Sequence, residues 1–409
     1  MTLVEFFTDN HILNIAASLQ LAPEKLILVG DIARIRKSPE QYRKVLQKRG
    51  LRTQILVKDT RKKDFWELSY LLQQIFCEDE TFVVDLTGGD ELVIMAMGAL
   101  LSTLDSGQRS NISIRKFDQQ METVMDCLDD NRPIPGKLPQ LSVAELIQLH
   151  GGAIREDDTQ PRGVPSRREL DRLWDVVSED PRQWNRSISL LREAESRCGC
   201  GCGMDADLDL DALYKGIQGF AAKESELRAF LETLSRCGVI YDRSSRYDLR
   251  YSYTSPLLRY CTLKAGNVLE IKVLLETSSL LQDGQPFFQD CRMGVTIDWD
   301  GVIHGSGEWI PDTRNEIDVV AMHNMIPLFI SCKNGTINDD ELYKLHTVAT
   351  RFGGPNARML LVATDMEQKN QEPDHVFIQR AWDMNIQLMT NAADLSREEW
   401  RELFKMALQ

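Results

Sequence analysis

The first hundred residues alternate short apolar runs with helix-like segments, and this alternation constrains the fold more than any other feature of the chain. The apolar runs cover residues 3–7, 25–30, 53–57 and 81–86. Short continuous apolar runs are typical of strands buried on both faces, and parallel strands need helical crossovers between them. The pattern predicts an α/β fold whose N-terminal part is a doubly wound, mostly parallel sheet.

The chain length requires more than one domain. At roughly 150 residues per domain, 409 residues correspond to two or three domains. The polar stretch 155–168, which contains Pro161, Gly163 and Pro165, reads as a linker. We therefore expect an N-terminal domain over residues 1–150, a linker and connector over 151–262, and a C-terminal domain over 263–409.

Composition and charge exclude several classes of protein. Apolar residues make up 43% and charged residues 27% of the chain, which is typical of a globular protein. No membrane span or signal peptide is evident, and nine scattered cysteines fit reduced thiols, so we expect a cytoplasmic location. The net charge of −14 argues against a protein that coats nucleic acid. Residues 34–63 are an exception, with twelve basic against two acidic residues, and read either as a solvated face or as a surface for an anion.

Two predicted strand ends carry residues suited to ligand binding. Thr8, Asp9, Asn10 and His11 follow the first strand, and Thr87, Gly88 and Gly89 follow the fourth. Ligands of such sheets bind outside the carboxyl ends of the strands, and glycines before a helix let a phosphate approach backbone N–H groups. The sequence has neither a dinucleotide fingerprint nor a Walker loop here. It predicts a phosphate site, with a plain strand-to-helix turn as the alternative.

The middle part is rich in helices and ends in a recognisable pattern. An amphipathic helix over 224–237 precedes two short runs, 239–241 and 249–253, that can pair as a wing. We expect a winged-helix-like interaction scaffold, because no basic recognition helix is evident. The tract Cys198, Cys200, Cys202 lacks the spacing of a structural zinc site. The acids at 205–211 lack the glycine and glutamate of a calcium loop, so that stretch reads as a solvated loop.

The C-terminal part contains the strongest chemical signal. A helix containing residues 266–270 is followed by β-like runs at 295–299, 315–321 and 327–333. In a hairpin, Asp318 near the start of one run and Lys333 at the end of the next can lie side by side. An Asp and an acid about thirteen residues later, with a Lys two residues beyond that acid, can hold a divalent cation while the amine contacts the attacking water or a phosphate. The sequence therefore indicates a candidate divalent-cation site at this end of the chain.

This arrangement resembles the PD-(D/E)xK nuclease superfamily, in which metal-activated water attacks a phosphodiester. The resemblance implies that Asp318 is the central metal ligand, Lys333 the motif lysine and Glu270 the helix carboxylate, with the carbonyl of Cys332 completing the site. Ser331 departs from the family, because an acid usually stands there and a hydroxyl is a weak ligand for a hard cation. Four nearby acids are candidate substitutes, and Glu341 is preferred among them: Glu316, Asp339, Asp340 and Glu341.

Taken together, the parts resemble the CRISPR ancillary nucleases that join a Rossmann-like CARF sensor domain to a winged-helix-like connector and a PD-(D/E)xK restriction-endonuclease-like domain. The resemblance implies a homodimer activated by cyclic oligoadenylate, here cyclic tetra-adenylate, and cleavage of DNA, RNA or both with Mg²⁺ or Mn²⁺. It also implies the ligand contacts, with the first four residues at the adenosine and ribose edges and the last three at the phosphates: Thr8, Asp9, Asn10, His11, Thr87, Gly88 and Gly89.

Other functions stay open on the sequence alone. One alternative is a cyclic-nucleotide-responsive nucleic-acid-binding or regulatory protein with a degenerate, inactive nuclease domain, which Ser331 favours. Another is a restriction-type nuclease without a nucleotide sensor. Within the sensor, His11 reads either as a hydrogen-bonding contact or as a catalytic residue that degrades the activator.

Overall fold

The structure is a computed structural model of the 409-residue chain. It describes residues 1–77, 80–118, 123–159, 167–201, 203–302, 304, 314–335, 337–364 and 375–408. Pro161, Gly163 and Pro165 of the predicted linker, and Cys202 of the cysteine tract, lie outside these described residues.

The N-terminal part is a seven-stranded sheet with the order β3-β2-β1-β4-β5-β6-β7. Strands β1 to β5 are parallel, and the last two are antiparallel. Its strands and helices are β1 (Thr2–Phe6), α1 (His11–Leu21), β2 (Lys25–Gly30), α2 (Ile32–Ile35), α3 (Ser38–Lys48), β3 (Gln54–Asp59), α4 (Phe65–Ile75), β4 (Phe82–Asp85), α5 (Glu91–Thr103), α6 (Ser106–Ser110), β5 (Ile112–Asp118), β6 (Thr123–Asp126) and β7 (Arg132–Pro133).

Apolar side chains cover both faces of this sheet. Leu3 and Leu26 pack into one cluster with α1 and α3, and Val4 and Ile27 pack into another with α4 and α5. Side chains alternate between the two faces along a strand, so a continuous apolar run supplies both clusters. The doubly wound sheet predicted from the sequence is confirmed.

The middle part consists mainly of helices with a small antiparallel sheet of order β10-β11-β9. Its elements are α7 (Val143–Leu149), β8 (Ala153–Glu156), α8 (Arg167–Glu179), α9 (Pro181–Arg197), β9 (Asp205–Leu208), α10 (Leu210–Gly216), α11 (Phe220–Arg236), β10 (Ile240–Asp242), β11 (Leu249–Tyr253) and α12 (Pro256–Cys261). The predicted wing is present, because Ile240 pairs with Tyr253 in the hairpin that follows α11.

Two segments differ from the sequence prediction. The acids at 205–211 were expected in a solvated loop, but Asp205–Leu208 forms a strand that pairs with β11. The start of the predicted linker is also wrong, because Ala153–Glu156 pairs with a strand of the C-terminal sheet. Helix α7 lies just before this strand and contacts α3 on one side and the C-terminal part on the other. The division into three domains at residues 150 and 262 stays a prediction.

The C-terminal part is a six-stranded mixed sheet of order β18-β17-β16-β15-β14-β8. Its remaining elements are α13 (Asn267–Ser278), β12 (Leu281–Gln282), β13 (Gln285–Pro286), β14 (Asp290–Asp298), β15 (Arg314–His323), β16 (Ile326–Lys333), α14 (Asp339–Gly353), a 3-10 turn (Gly354–Asn356), β17 (Arg358–Ala363), α15 (His375–Asp383), β18 (Ile386–Met389) and α16 (Arg397–Met406). Within the described ranges, every helix is too short or too polar to cross a membrane.

Candidate functional site

Asp318 and Lys333 lie on neighbouring strands of the C-terminal sheet. Strands β15 and β16 pair in antiparallel fashion, with Val319 opposite Ile330. This register carries the start of β15 to the end of β16, where Lys333 is the last residue. Lys333 Nζ lies 3.9 Å from Asp318 Oδ2. The structure therefore brings together the acid and the amine that the sequence singles out.

The carboxylate of Asp318 is held by the backbone of the next strand. The N–H of Cys332 donates to Asp318 Oδ2 over 2.6 Å, and the hydroxyl of Ser331 donates to the same oxygen over 3.2 Å. Ser331 thus supplies a hydrogen-bond donor where the superfamily usually has an acid. Burial raises the pKa of the Cys332 thiol well above its usual value, so the thiol stays protonated and is a poor ligand.

Glu270 lies in the first turn of α13. Together with Asp318 and Glu316, whose charges act on it, Glu270 forms what we call the acidic cluster. Burial, together with the charges of Asp318 and Glu316, raises the pKa of Glu270 to about 8. Lys264 and Lys333 act in the opposite direction. The charges of Asp318 and Glu316 therefore act on Glu270 more strongly than the two lysines offset. Among the substitute acids that the sequence offers, Glu341 was preferred to Glu316.

This cluster fits a divalent cation. Mutual repulsion of neighbouring carboxylates is the effect that a bound Mg²⁺ or Mn²⁺ relieves, and hard cations prefer oxygen ligands. In the part of the chain that the structure describes, no three His, Cys, Asp or Glu side chains already form a metal-binding group. A cation held by Asp318 and Glu270 would therefore complete its coordination with backbone oxygen, water or substrate.

Glu341 has a different set of partners from the acidic cluster. Its carboxylate lies 2.8 Å from Lys333 Nζ and 3.1 Å from Lys344 Nζ. Burial acts to raise the pKa of Glu341, but hydrogen bonds from the two lysines outweigh it and hold the pKa below its usual value. Asp339 pairs with Arg380. Glu341 is therefore placed to hold Lys333, whereas Glu316 is the acid beside Glu270.

The N-terminal sheet has its topological switch point between β1 and β4. From this pair, the chain continues through β2 and β3 on one side and through β5 on the other. The loops that follow Phe6 and Asp85 therefore border one crevice. Gly88 packs directly against the first loop, because a Cβ there would lie 2.2 Å from the Phe6 carbonyl oxygen and 3.0 Å from Thr8 Cβ. The structure brings together the two loops in which the sequence places the ligand contacts.

The second loop is held in place by hydrogen bonds to β4 and β5. The N–H of Thr87 donates to Asp85 Oδ1 over 2.9 Å, and its hydroxyl also donates to that oxygen. The same hydroxyl accepts the N–H of Phe117 over 2.8 Å. Gly89 has a φ of +98°, and a Cβ there would lie 2.8 Å from Phe6 Cβ. Glycine is required at this position both by the conformation and by the close approach.

The first loop combines structural and accessible residues. Asn10 is buried and caps α1, because its side chain accepts the N–H groups of Ile12 and Leu13. This role accounts for Asn10 without a ligand. Asp9 is exposed and accepts a hydrogen bond from Arg34 Nε over 3.1 Å.

His11 lies at the junction between the N-terminal and C-terminal parts. Its Nδ1 is 2.8 Å from the hydroxyl of Tyr42, and its ring centroid is 5.2 Å from that of His150. Arg351 in α14 donates to the carbonyl oxygen of His150 over 2.6 Å. Burial lowers the pKa of His11, and the charge of Arg351 lowers it further. The crevice thus contacts, through His150, the helix that carries Glu341.

Sequence reasoning missed two residues that contact the C-terminal site. Asn334 follows Lys333, and its amide nitrogen donates to the side-chain oxygen of Asn185 over 2.9 Å. Asn185 lies in α9, far away in the sequence. The only sequence signal was the position of Asn334 beside Lys333, and no pattern pointed to Asn185.

A family model matches the C-terminal part of the chain. Residues 260–402 match the family model described as "Card1-like, endonuclease domain". This matched range contains Glu270, Asp318, Lys333 and Glu341. No curated protein sequence matches the chain.

Solved structures resemble the whole chain at low sequence identity. Protein VC1899 from Vibrio cholerae is 17% identical with a TM-score of 0.71, over 100% of this chain and 97% of that one. Can2 from Sulfobacillus thermosulfidooxidans, solved in complex with cyclic tetra-adenylate, is 14% identical with a TM-score of 0.65, over 100% of this chain and 97% of that one. These similarities show a shared fold. The predicted fold class and the resemblance to CRISPR ancillary nucleases are confirmed.

Proposed function

We propose that this protein is a nuclease of type III CRISPR antiviral defence that cleaves DNA, RNA or both when cyclic tetra-adenylate binds its N-terminal crevice. The proposal includes dependence on Mg²⁺ or Mn²⁺, action as a homodimer and a cytoplasmic location. The observation that carries it is the placement of Lys333 beside Asp318 and Glu341, within the range that matches the Card1-like endonuclease model.

The proposed roles in cleavage follow from the geometry of the acidic cluster. A divalent cation bound there supplies a Lewis acid that polarises the phosphodiester and activates water. Asp318, fixed by the N–H of Cys332, presents a carboxylate that needs no rearrangement. Glu270 adds a second carboxylate from α13, and the carbonyl of Cys332 adds a neutral oxygen. Lys333 places a positive charge where it can contact the phosphate or the attacking water.

The proposed activator site is the crevice at the switch point. The loop of Gly88 and Gly89 leads into the N-terminus of α5, where backbone N–H groups and the helix dipole attract phosphate. Thr8, Asp9 and His11 border the same crevice from the first loop, as the resemblance implies. Can2, which shares the fold over the whole chain, was solved in complex with cyclic tetra-adenylate, and this supports the proposal.

The proposed homodimer is supported by an apolar face beside this crevice. Helices α4 and α5 pack together and expose Trp66, Tyr70 and Met95, with exposed fractions of 76%, 62% and 56%. Large exposed apolar groups close together indicate an interaction surface. Since α5 begins directly after the two glycines, a second copy on this face would bring two crevices together around a two-fold ligand.

Cleavage assays with matched variants test the proposal. Single-stranded RNA, single-stranded DNA and supercoiled DNA are incubated with Mg²⁺ or Mn²⁺, with and without cyclic tetra-adenylate. We expect cleavage only with both metal and ligand, and a loss of at least about a hundredfold in Asp318→Ala and Lys333→Ala. Glu398→Ala removes an exposed acid of α16 that is not a candidate site residue, and it is the control expected to retain wild-type cleavage. Absence of cleavage by the wild type under every condition would reject the nuclease.

A regulatory protein with an inactive nuclease domain is the second candidate, and Ser331 favours it. Its hydroxyl donates to Asp318 instead of adding a carboxylate to the site. Ser331→Glu separates the two functions when the wild type shows no cleavage. A gain of cleavage in this variant would indicate a nuclease site weakened by the missing acid. Wild-type cleavage that Ser331→Glu leaves unchanged would instead indicate that another acid, such as Glu316, has taken over.

A further inference from the structure

Asn334 joins three elements directly behind Lys333. Its amide nitrogen donates to Asn185 Oδ1 over 2.9 Å and to the carbonyl oxygen of Ala265 over 3.1 Å. Its amide oxygen accepts the hydroxyl of Thr364 over 2.7 Å. Two acceptors on one side and a hydroxyl donor on the other fix the orientation of the amide. One side chain therefore connects β16, the start of α13 and the end of β17.

Asn185, in the connector helix α9, also donates a hydrogen bond to Asn334. Its amide nitrogen donates to the carbonyl oxygen of Asn334 over 2.7 Å. Its neighbour Trp184 donates through Nε1 to the carbonyl oxygen of Ala265 over 3.0 Å. Gly335 has a φ of +127°, and a Cβ there would lie 2.9 Å from the Asn185 amide nitrogen. The turn after Lys333 is thus shaped to receive Asn185.

We propose that Asn185 and Asn334 are positioning residues, which set Lys333 at the correct distance from Glu270 for phosphodiester cleavage. This inference rests on the proposed nuclease function. Ala265 lies just before the helix that carries Glu270, so the Asn334 amide fixes the end of the lysine strand relative to the start of that helix. Catalytic groups need sub-ångström placement, and a shift of about 1 Å costs about a hundredfold in rate.

The inference also assigns a part of the active site to the connector. Asn185 lies outside residues 260–402, the range that matches the endonuclease domain. The endonuclease domain is therefore incomplete without α9, and any movement of α9 displaces the turn that follows Lys333. Both asparagines are half-buried, so their loss leaves the apolar core intact.

The test separates kcat, KM and stability in the full-length protein with cyclic tetra-adenylate and Mn²⁺. We expect Asn185→Ala and Asn334→Ala to lower kcat by about tenfold to a hundredfold. We expect KM for nucleic acid and the Kd for cyclic tetra-adenylate to stay within about twofold of the wild type, since neither asparagine is expected to contact ligand or substrate. The double variant should lose no more activity than the single variants, because the two amides act as a unit. Gln183→Ala removes another amide of α9 that bonds only within the connector, and it should keep the wild-type kcat.

Asn185→Asp covers the case in which the alanine variants unfold. It keeps the acceptor for Asn334 and loses only the donor to the Asn334 carbonyl. A folded Asn185→Asp or Asn185→Ala protein with wild-type kcat overturns the positioning role while Asp318→Ala is inactive. If the wild type does not cleave, or Asp318→Ala cleaves normally, the nuclease function fails and the positioning role fails with it.

Discussion

The ammonium group of Lys333 lies 2.8 Å from Oε2 of Glu341 and 3.9 Å from Oδ2 of Asp318. Only 28% of the lysine side chain and 19% of the glutamate side chain are exposed. Burial alone lowers the pKa of Lys333, but the charges of Asp318 and Glu341 raise it above the usual value. Glu341 therefore keeps the lysine charged and restricts where it points.

Glu341→Gln should lower kcat while the metal requirement stays the same. The amide still reaches Lys333 but no longer attracts it, so we expect about a tenfold loss in kcat. The Mn²⁺ concentration for half-maximal cleavage should be unchanged, because Glu341 is not placed in the acidic cluster. A rise of tenfold or more in that concentration would restore the sequence prediction that Glu341 is a metal ligand.

Glu270→Gln should stabilise the metal-free protein. A pKa near 8 means that folded Glu270 binds a proton that the unfolded chain releases above its ordinary pKa of 4.5. Stability of the wild type therefore falls as the pH rises from 4.5 to about 8. We expect the variant to gain about 1–3 kcal/mol at pH 7 in the presence of EDTA, measured by urea unfolding, with a gain that grows toward pH 8.

Glu276→Gln is the matched control on the same helix. Glu276 is buried, but it pairs with Lys272 at 3.1 Å and with Arg397 at 3.3 Å. Its removal leaves the buried Lys272 with Asp171 alone, at 3.3 Å, and takes away the acid that faces Arg397, so we expect a loss of about 3 kcal/mol. A loss of stability in Glu270→Gln as well would mean that the acidic cluster is not under electrostatic strain.

Most of the fold follows from hydrophobic periodicity, and the two segments that were wrong show its limit. Asp205–Leu208 alternates exposed acids with buried Ala206 and Leu208, which is the period of a half-buried strand. The prediction was wrong because many acids in a short stretch favour a loop, although these acids occupy the exposed positions of the strand. Ala153–Glu156 is a four-residue edge strand, too short and too polar to be distinguished from a linker.

The two parts of the candidate site differ in how far they could be predicted. The contact of Gly88 with Thr8 follows from the rule that ligand loops meet at a switch point, because the pattern predicts parallel strands. The hydrogen bond from Asn185 to Asn334 joins residues 149 positions apart. A single amide has no periodicity and belongs to no motif, so tertiary packing alone determines this pair.

Gly88→Ala should weaken the response to cyclic tetra-adenylate. Its Cβ would lie 2.2 Å from the Phe6 carbonyl oxygen, so the loop has to move away from Thr8. We expect destabilisation by about 1–3 kcal/mol and at least a tenfold weaker Kd, measured by thermal unfolding and calorimetry. Gly201→Ala is the control, since an added methyl there meets no atom within 4 Å. Wild-type affinity in Gly88→Ala would place the activator elsewhere.

His150→Gln should make the protein less sensitive to acid. Burial, together with the charges of His11 and Arg351, lowers the pKa of His150 to about 3, whereas the unfolded chain titrates near 6.5. The unfolded state therefore binds more protons as the pH falls from 6.5 toward 3, and each unit removes up to about 1.4 kcal/mol of stability. Glutamine stays neutral and keeps a donor for the carbonyl of Leu146, which Nδ1 of His150 contacts at 3.0 Å. Urea unfolding at pH 7, 6 and 5 should give a smaller loss in the variant than in the wild type. Equal losses would mean that the ring of His150 gains a proton in the folded protein, and therefore that its Nε2 contacts solvent or a ligand at the junction with α14.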